Sequence, residues 1–483
     1  MEGFRRREFL RRIGVLTGGA ASGVLLGHGA ATAGPTSGPT SGSDPWRRAD
    51  VLAARVRPPR FAHRYFDVTR FGAVGDGVTD CTTAFRRAIQ ACAGSGGGHV
   101  VVPAGRFATG AIRLLSNINL HITKDATIAF VTDPRAYLPV VLTRFEGTEL
   151  YNYSPMIYAY GQHDIAVTGR GTVDAQSDNA HWWPWSGKTR YGWQPGQPSQ
   201  TAARDRLRAM AEQAVPVEQR VFGEGGYLRP SFIQPYRCRN VLIEGITVHN
   251  SPMWEIHPVL SENVLVRDVT VNTHGPNNDG CNPESSRYVV IRGCSFDTGD
   301  DCIAIKSGRN ADGRRVNVPS ELILVEDCQF RAGHGGVTVG SEMSGGVRDV
   351  FARNLHLSSP DLDIALRFKT NSMRGGFVEN FYARDITVGT VAASAIEIDF
   401  NYDEGPGHGF NPLVRGIDIR DMTVETARRA LSLRGYPEAP IRDVRLTRVN
   451  FKQVSQPDIV ENVTGLRLRE VYENGQRLPD TAA

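Results

Sequence analysis

Asn240-Val-Leu-Ile-Glu-Gly-Ile-Thr-Val248 is followed by Asn263-Val-Leu-Val-Arg-Asp-Val-Thr-Val271, the same pattern further along the chain. Each copy has a short β-branched segment, a polar break and a second short apolar segment. The first repeats are separated by 23 residues (240 to 263) and 25 residues (263 to 288), and later ones by more, which is typical of a solenoid with loops inserted into some coils. Similar units begin at Tyr288, Leu322, Val350, Phe381, Ile417 and Val444.

These strands are too short to pair within one repeat, so they must pair with the repeats above and below. No helical period of 3.6 residues is present in this half of the chain. The sequence therefore predicts an all-β fold, a single-stranded right-handed parallel β-helix whose coils lie about 4.8 Å apart.

The residues before the repeats predict a cap for this solenoid. Between Thr82 and Ala93, apolar residues recur at helical spacing, and a short amphipathic helix there would cover the open end of the first coil. The run Gly96-Gly97-Gly98 then leads into the first strand. No Lys-Ser/Thr pair follows these glycines, which argues against a phosphate-binding loop. The apolar positions are Ala84, Phe85, Ala88, Ile89 and Cys92.

The amino terminus has the pattern of a targeting segment. Arg6-Arg7-Glu8-Phe9-Leu10 resembles the twin-arginine export motif of bacteria, and a Gly/Ala-rich apolar stretch follows it up to Ala31-Thr32-Ala33. We expect a signal peptide over residues 1–33 and an exported protein, secreted or held in the periplasm or at the cell surface. A retained membrane anchor is the alternative.

The rest of the chain divides by composition. We expect residues 34–59 to form a Gly/Pro/Ser/Thr-rich linker, residues 60–477 the β-helix domain and residues 478–483 a tail. A net charge of +4 over 483 residues gives no sign of a nucleic-acid-binding surface.

Seven cysteines are an odd number for an exported chain, and none has zinc-site spacing. Cys294 and Cys328 occupy the same place in two successive repeats, which favours small buried core residues over a disulfide.

Residues 134–237 are the least regular part of the chain and are rich in aromatic residues, with a helical pattern from Thr201 to Gln219. Aromatic rings suit the apolar faces of sugars, and packing of a long loop against the solenoid is the alternative for each of them. The aromatic residues are Trp182, Trp183, Trp185, Tyr191 and Trp193.

Three acidic residues occupy comparable places in successive repeats. Asp279 precedes Asp300 and Asp301 by 21 and 22 residues, close to one coil, so stacking would place these carboxylates side by side. Clustering raises at least one carboxyl pKa, which provides both an acid and a base, the two groups that cleavage of a glycosidic bond needs. An isolated Asp-Asp pair would otherwise indicate a turn or a calcium site.

Basic residues follow at similar spacing. His334 lies between Gly333 and Gly335, which leave room for close substrate approach and an unusual backbone. Arg367 and Lys369 alternate along a strand and so face the same side, where they could hold a carboxylate. Together with the acids, these cations indicate an anionic sugar as substrate.

From Phe66 to about Asn474 the chain resembles the polygalacturonase-type pectin hydrolases of glycoside hydrolase family 28. The resemblance rests on four blocks in the family's order: Asn-x-Asp, Gly-Asp-Asp, Gly-His-Gly and Arg-x-Lys. It implies an inverting reaction on α-1,4-galacturonosyl linkages, with Asp300 as general acid and with Asp279 and Asp301 activating water. It also implies that His334 assists near the acid, that Arg367, Lys369 and Tyr402 contact the galacturonate, and that Asn277 contacts substrate and helps to fix Asp279.

Two middle positions depart from the family pattern: Asn278 stands where Thr is more usual, and Phe368 where Ile is. Both are expected to be structural. His257 is predicted either to contact substrate or to pack in the interior. The insertions resemble those of bacterial exo-acting members and favour cleavage at a chain end, with endo-polygalacturonase or exo-acting rhamnogalacturonan galacturonohydrolase activity as alternatives.

Two other classes of function remain open. A pectate lyase shares the solenoid and uses bound calcium, and a noncatalytic β-helix could bind carbohydrate. Our prediction is a hydrolase with no metal and no cofactor, acting on a pectic polysaccharide or oligogalacturonide. It includes no nucleic-acid partner, no stable membrane association after signal cleavage, and only transient contact with the twin-arginine export machinery.

Overall fold

Parallel strands stacked coil upon coil make up most of the computed structural model, which describes residues 44–481. The predicted signal peptide and linker residues 34–43 lie outside the described residues. Each complete coil contributes strands to three parallel sheets that enclose one apolar core. The predicted parallel β-helix is therefore confirmed.

The strands fall into rows according to the sheet they join. The first sheet contains Tyr65–Asp67, Gly98–Val102, Ile118–Ile122, His163–Gly169, Arg239–Glu244, Glu262–Arg267, Arg287–Arg292, Ser320–Glu326, Val463–Thr464 and Arg467–Glu473. The second contains Asp76–Asp80, Gly105–Thr109, Ala126–Phe130, Thr172–Asp174, Thr247–His249, Thr270–Thr273, Ser295–Thr298 and Gln329–Phe330. Four long strands run from the first sheet into the second: Val347–Leu357, Phe377–Thr390, Leu413–Ala427 and Ile441–Val454. The third sheet contains Ile112–Arg113, Ile157–Tyr160, Ile233–Tyr236, Ile303–Ile305, Val337–Gly340, Ile364–Lys369, Ser394–Asp399, Arg429–Arg434 and Ile459–Glu461.

Two hairpin pairings and several short helices complete the fold. Val141–Phe145 pairs antiparallel with Thr148–Asn152, and Gln476–Arg477 pairs antiparallel with the last strand of the first sheet. The α-helices are α1 (Pro45–Arg55), α2 (Thr82–Gly94), α3 (Thr201–Glu212) and α4 (Asn310–Val316). The 3-10 helices are Val68–Phe71, Pro134–Tyr137, Trp183–Ser186, Thr189–Tyr191 and Val217–Gln219.

The repeats recognised in the sequence pair in register. Val241 is opposite Val264, which is opposite Val289, and all three are buried. The same inward row continues through the later coils as Ile323, Val350, Phe381, Ile417 and Val444. Side chains from equivalent positions thus stack along the solenoid axis and form its core.

The polar residue that opens each repeat has a structural reason. Asn240 and Asn263 have φ of 58° and 54°, a left-handed conformation that Asn tolerates better than most residues. The Asn263 amide donates to the Asn240 side-chain oxygen at 3.1 Å, and Asn240 donates to Asp164 at 2.8 Å. This ladder links the polar side chains at one corner of successive coils.

The capping helix is where the sequence predicted it. Helix α2 buries the five predicted apolar residues in the same cluster as the core of the first coils. Without this cover the first coil would expose apolar side chains at its end.

The linker prediction is wrong over its second half, because Pro45–Arg55 is helix α1. Trp46, Ala49 and Leu52 are buried against an outward-facing apolar row of the first sheet. The row that α1 covers comprises Ala166, Leu242, Leu265, Val290, Leu324 and Phe351. The helix was missed because its partners lie on the outer face of the first sheet. Composition alone does not show that this outer face is apolar and needs a cover.

The remaining peripheral segments also pack against the solenoid. Thr481, in the predicted tail, bonds the backbone of Leu466 and Leu468 in the last coil. All seven cysteines are buried and free, and the disulfide alternative for Cys294 and Cys328 is not realised. Within residues 44–481, no helix is both long and apolar enough to span a bilayer.

Helix α1 provides a test of the corrected domain boundary. Leu52 is 2% exposed and its neighbour Val51 is 68% exposed. Leu52→Asp should release α1, because it loses about 1.5–3 kcal/mol of apolar burial and places a charge in the interface. Trypsin should then cut at the arginines of α1 at least tenfold faster, a change that limited proteolysis measures. Val51→Asp is the matched control and should leave the rate unchanged. Equal rates in both variants and the wild type would restore the linker assignment.

Candidate active site

The motifs singled out in the sequence meet at one corner of the solenoid, between the second and third sheets. Gly280 N donates to Asp301 O at 3.0 Å, and His334 N donates to Asp300 O at 3.1 Å. These backbone bonds stack three successive coils. Arg367 pairs in register with Thr338 of the coil before it. The predicted grouping of acids and cations is therefore present in the structure, and we call the corner that these residues occupy the trough.

The three carboxylates lie close together. Oxygens of Asp279, Asp300 and Asp301 lie within 4.8 Å of one another. The Asp300 side chain is 17% exposed, whereas those of Asp279 and Asp301 are 4% and 0% exposed. Asp300 is thus the member of the trio best placed to reach a bound molecule.

The chain bends between Ser295–Thr298 and Ile303–Ile305, as the shared location of Asp300 and Asp301 requires. Gly333 has φ of 145°, the unusual backbone expected beside His334. At Gly335 a Cβ atom would approach the Asp301 carboxylate to 2.9 Å and the Thr338 hydroxyl to 2.2 Å. The space left by Gly335 is therefore occupied by the protein, not kept for substrate.

The cations of the Arg-x-Lys block contact Asp301. Lys369 Nζ lies 2.5 Å from Asp301 Oδ2, and Arg367 Nη1 lies 3.5 Å from Asp301 Oδ1. Arg367 also pairs with Glu397 at 3.3 Å. The Tyr402 ring faces both cations, with its centroid 5.6 Å from Arg367 Cζ and 5.2 Å from Lys369 Nζ. Two cations and an aromatic ring thus line one side of the trough.

His334 and Asp300 form an ion pair, with Nδ1 and Oδ1 3.2 Å apart. Pairing with Asp300 raises the pKa of His334 above its usual value of 6.5. Burial acts to raise the pKa of Asp300, but His334 and Lys369 outweigh burial and hold that pKa below its usual range. The pair therefore contributes stability that is lost as the pH rises through the raised pKa of His334, or falls through the lowered pKa of Asp300.

Asp279 has the opposite shift. Burial and the neighbouring charge of Asp300 raise the pKa of Asp279 well above its usual range, although Lys306 opposes them. The surroundings therefore favour the protonated form of Asp279 and the ionised form of Asp300. Two residues of one type thus have pKa values shifted in opposite directions by their surroundings.

The Asn-x-Asp block is held differently from the prediction. The Asn277 side-chain oxygen accepts from Arg229 at 2.7 Å, and it is Asn282 that donates to Asp279 Oδ2, also at 2.7 Å. Asn277 therefore does not fix Asp279 directly. Asn278 is structural as expected, since it is buried and its amide donates to the Ser251 carbonyl at 3.0 Å.

The predicted substrate contact of His257 is wrong, and the packing alternative is correct. His257 is completely buried, and its Nε2 lies 2.7 Å from Glu284. Glu284 in turn pairs with Arg144 at 2.8 Å, in a group with 0% side-chain exposure. The sequence has no signal that distinguishes a buried histidine from one in the trough.

The aromatic residues of the insertion mainly pack among themselves. Trp182 and Trp185 lie with ring centroids 4.8 Å apart, and each is within 6.3 Å of Tyr153. Trp183 lies against Gly275, two residues before Asn277, where a Cβ atom would come within 2.2 Å of the indole. The packing alternative therefore holds for Trp182 and Trp185, while Trp183 borders the Asn-x-Asp block.

The three carboxylates are also the group of oxygen ligands that could hold a metal ion. Calcium takes six to eight oxygen ligands. Lys369 and Lys306 face two of these carboxylates, at 2.5 Å from Asp301 and 3.5 Å from Asp279. The protein itself thus places positive charge where a calcium ion would have to bind.

Sequence reasoning missed several charged residues around this corner. Lys306 contacts Asp279, and Glu342 binds Lys306 at 2.9 Å. Arg229 donates to the carbonyl of Pro276 at 2.7 Å, immediately before the Asn-x-Asp block. Lys306 comes directly after the third-sheet strand Ile303–Ile305, five residues after Asp301. A lysine at that spacing from the Asp-Asp pair is a sequence signal that could have identified it. Arg229 comes from the insertion, and nothing in its local sequence indicates its partners.

Comparison with known proteins agrees with this geometry. Residues 222–467 match the model of Glycosyl hydrolases family 28, and residues 65–121 match that of Rhamnogalacturonase A/epimerase, pectate lyase-like. A "Probable polygalacturonase" of Vitis vinifera is 30% identical over 398 residues, which cover 79% of this chain and 73% of that protein.

Two bacterial proteins are also similar. An "Exo-poly-alpha-D-galacturonosidase" of Dickeya chrysanthemi is 27% identical over 74% of this chain and 63% of its own length. The crystal structure of a hyperthermoactive exopolygalacturonase from Thermotoga maritima superposes with a TM-score of 0.87 at 47% identity, covering 90% of this chain and 97% of that one. Together with the family match, these likenesses show that the chain belongs to glycosyl hydrolases family 28 and is a glycosidase.

Proposed function

We propose that this glycosidase hydrolyses α-1,4-galacturonosyl linkages of polygalacturonate and pectic oligosaccharides, releasing galacturonate from a chain end. The observation that carries the proposal is the arrangement of three carboxylates beside Lys369 and Arg367. Acid/base groups and a carboxylate-binding pair lie within one trough, as hydrolysis of a uronic acid polymer requires. The likeness to polygalacturonases supports the same substrate.

In the proposed reaction, Asp300 protonates the glycosidic oxygen while Asp279 and Asp301 take a proton from water. Asp300 is the most exposed carboxylate of the three, which suits contact with the leaving group. Water attacks the anomeric carbon from the opposite face, the bond to the leaving oxygen breaks, and the configuration inverts.

The pKa shifts of the free protein fit this scheme after one proton transfer. They favour a proton on Asp279 and the ionised form of Asp300. A substrate carboxylate seated beside Lys369 offsets the cation that stabilises ionised Asp300, which raises the pKa of Asp300. The oxygens lie within 4.8 Å, so passage of the proton from Asp279 to Asp300 creates the acid and the base together.

Action at a chain end is supported by the structure around Arg309. Its backbone N–H donates to the carbonyl of Gly147 in the inserted hairpin at 3.0 Å, and its guanidinium pairs with Glu404 at 2.8 Å. Glu404 lies two residues after Tyr402. The insertion and the Tyr402 loop thus join beside the trough, and we propose that they form the wall that limits the substrate to its terminal sugar.

Product profiling tests the proposed activity. The wild type should release galacturonate monomer from polygalacturonate at all times, and the first product should have the β configuration because the linkage cleaved is α. Chromatography of the time course and NMR of fresh product measure both. An oligomer ladder would indicate internal cleavage, and a chelator-sensitive unsaturated product would indicate a lyase. Binding without any release of reducing sugar would contradict hydrolysis altogether.

Asp300→Asn tests the acid. The amide has no proton of suitable acidity, so kcat should fall by about 10²–10⁴-fold while substrate binding persists. Steady-state kinetics and calorimetric binding of trigalacturonate measure the two effects. Asp327→Asn, the same change at a bend between the first and second sheets, is the matched control and should retain wild-type kcat. Near-normal turnover of Asp300→Asn would remove Asp300 from the acid role.

We also propose export through the twin-arginine pathway, because Arg6-Arg7-Glu8-Phe9-Leu10 has the motif and a polymeric pectic substrate lies outside the cell. Replacing Arg6 and Arg7 by lysine should retain the full-length protein in the cytoplasm. Fractionation of cells followed by immunoblotting measures its location. Equal export of the wild type and the variant would contradict this route.

A further inference from the structure

Lys306 is buried directly behind the catalytic carboxylates. It follows the strand Ile303–Ile305 and is only 3% exposed. Its ammonium group lies 2.9 Å from Glu342 Oε2, 3.2 Å from the Gly340 carbonyl and 3.5 Å from Asp279 Oδ2. All the polar contacts of its ammonium group are therefore with the interior of the protein.

Among the described residues, Lys306 is the one cation within ion-pair distance of Asp279. The other side-chain contact of this carboxylate is the neutral amide of Asn282, at 2.7 Å. The Trp254 ring lies 4.6 Å from the ammonium group and helps to shield it from water. An ammonium group so shielded acts strongly on a carboxylate 3.5 Å away, because little solvent screens the pair.

Glu342 determines where the ammonium group lies. It accepts from Lys306, and its other oxygen lies 3.3 Å from Arg309 Nη1. The backbone nitrogen of Arg309 in turn donates to the carbonyl of Gly147 in the inserted hairpin, at 3.0 Å. A continuous set of polar contacts therefore runs from the insertion to Asp279.

We propose that Lys306 is a positioning residue that orients Asp279 and favours its ionised form, and that Glu342 holds Lys306 in place. This inference rests on the proposed function, in which Asp279 must give up its proton to become a base. Lys306 touches neither the substrate nor the water that attacks it. It acts through Asp279, and the insertion acts on Asp279 through Glu342.

The direction of the effect follows from the charges that face Asp279. Burial and the charges of Asp300 and Asp301 favour its protonated form, and Lys306 and Lys369 favour its ionised form. Loss of Lys306 should therefore keep Asp279 protonated to a higher pH. The acidic limb of the pH–activity profile reports ionisation of the base. In a variant without Lys306 this limb should therefore lie at a higher pH than in the wild type.

The double variant Lys306→Met/Glu342→Gln tests the proposal, since it removes both charges of the buried pair, and Arg309, which also faces Glu342, keeps its ion pair with Glu404 at 2.8 Å. We expect the acidic limb of the kcat/KM profile to move up by about one pH unit or more, with kcat lower by about tenfold or more at a pH below that limb. KM should change by less than about twofold, because Lys306 does not contact substrate. Lys306→Arg, which keeps the charge, should retain the wild-type limb.

Glu326→Gln is the control for loss of a buried charge partner. Glu326 ends the first-sheet strand Ser320–Glu326, is 3% exposed, pairs with Arg353 at 2.7 Å and contacts none of the three carboxylates. This variant should lose thermal stability without any change in the pH profile. If the double variant behaves in the same way, Lys306 is purely structural and the proposal is wrong. If the acidic limb moved as far in Lys306→Arg as in the double variant, the proposal would also be wrong, because Lys306→Arg keeps the positive charge.

Carbon-13 NMR of the aspartate carboxyl groups separates this inference from the proposed function. The resonance that is absent from the spectrum of Asp279→Asn is that of the Asp279 carboxyl group. The titration of this resonance can be followed without substrate. We expect Asp279 to titrate at least about one pH unit higher in the double variant than in the wild type. An unchanged titration overturns the inference even if the wild type hydrolyses polygalacturonate. A wild type that releases no galacturonate refutes the proposed function, and the titration then decides the inference alone.

Discussion

Hydrogen bonding between successive coils is the constraint on which the rest of this structure depends. A short strand of a β-helix has no partner within its own coil, so its backbone groups are satisfied only by the coils on either side. The resulting register places Val264 beside Val289 in the core and Asp301 beside Gly280 at the corner. Slippage by one residue would turn core side chains outward and separate the three carboxylates. One set of backbone bonds therefore maintains both the core and the trough.

Within this register, the site is governed by the cost of placing three carboxylates out of water. Such a group is tolerated only if cations offset part of the charge or a proton remains. Both solutions are present. Asp301 has Lys369 and Arg367 as partners, Asp300 has His334, and Asp279 has the more distant Lys306 and a raised pKa. The opposite pKa shifts of Asp279 and Asp300 thus arise from unequal compensation of similar residues.

The sequence was sufficient to predict the elements that repeat and those that lie close in the chain to a repeat. The coil pattern from Asn240 onward, the capping helix α2 and the stacking of Asp279 on Asp300 all follow from spacing. The sequence predicted Asn277 as the partner of Asp279, whereas the structure has Asn282 in that place. The partner was not predicted because it depends on the direction in which each side-chain amide points at a bend. Helix α1 was missed because its partner is an external face, and the burial of His257 because its partners are distant in sequence.

The insertion differs from the coils in how it is held, and this bears on what it can do. It meets the solenoid through buried charged contacts, such as Arg144 with Glu284 at 2.8 Å and Arg220 with Asp312 at 2.6 Å. Opening such a contact would leave an unpaired charge in a dry interior, which is far more costly than separating two apolar surfaces. The insertion should therefore move with the solenoid as one body. A chain-end hydrolase needs a wall that a long polymer cannot displace, and buried ion pairs provide that resistance where apolar packing alone would allow sliding.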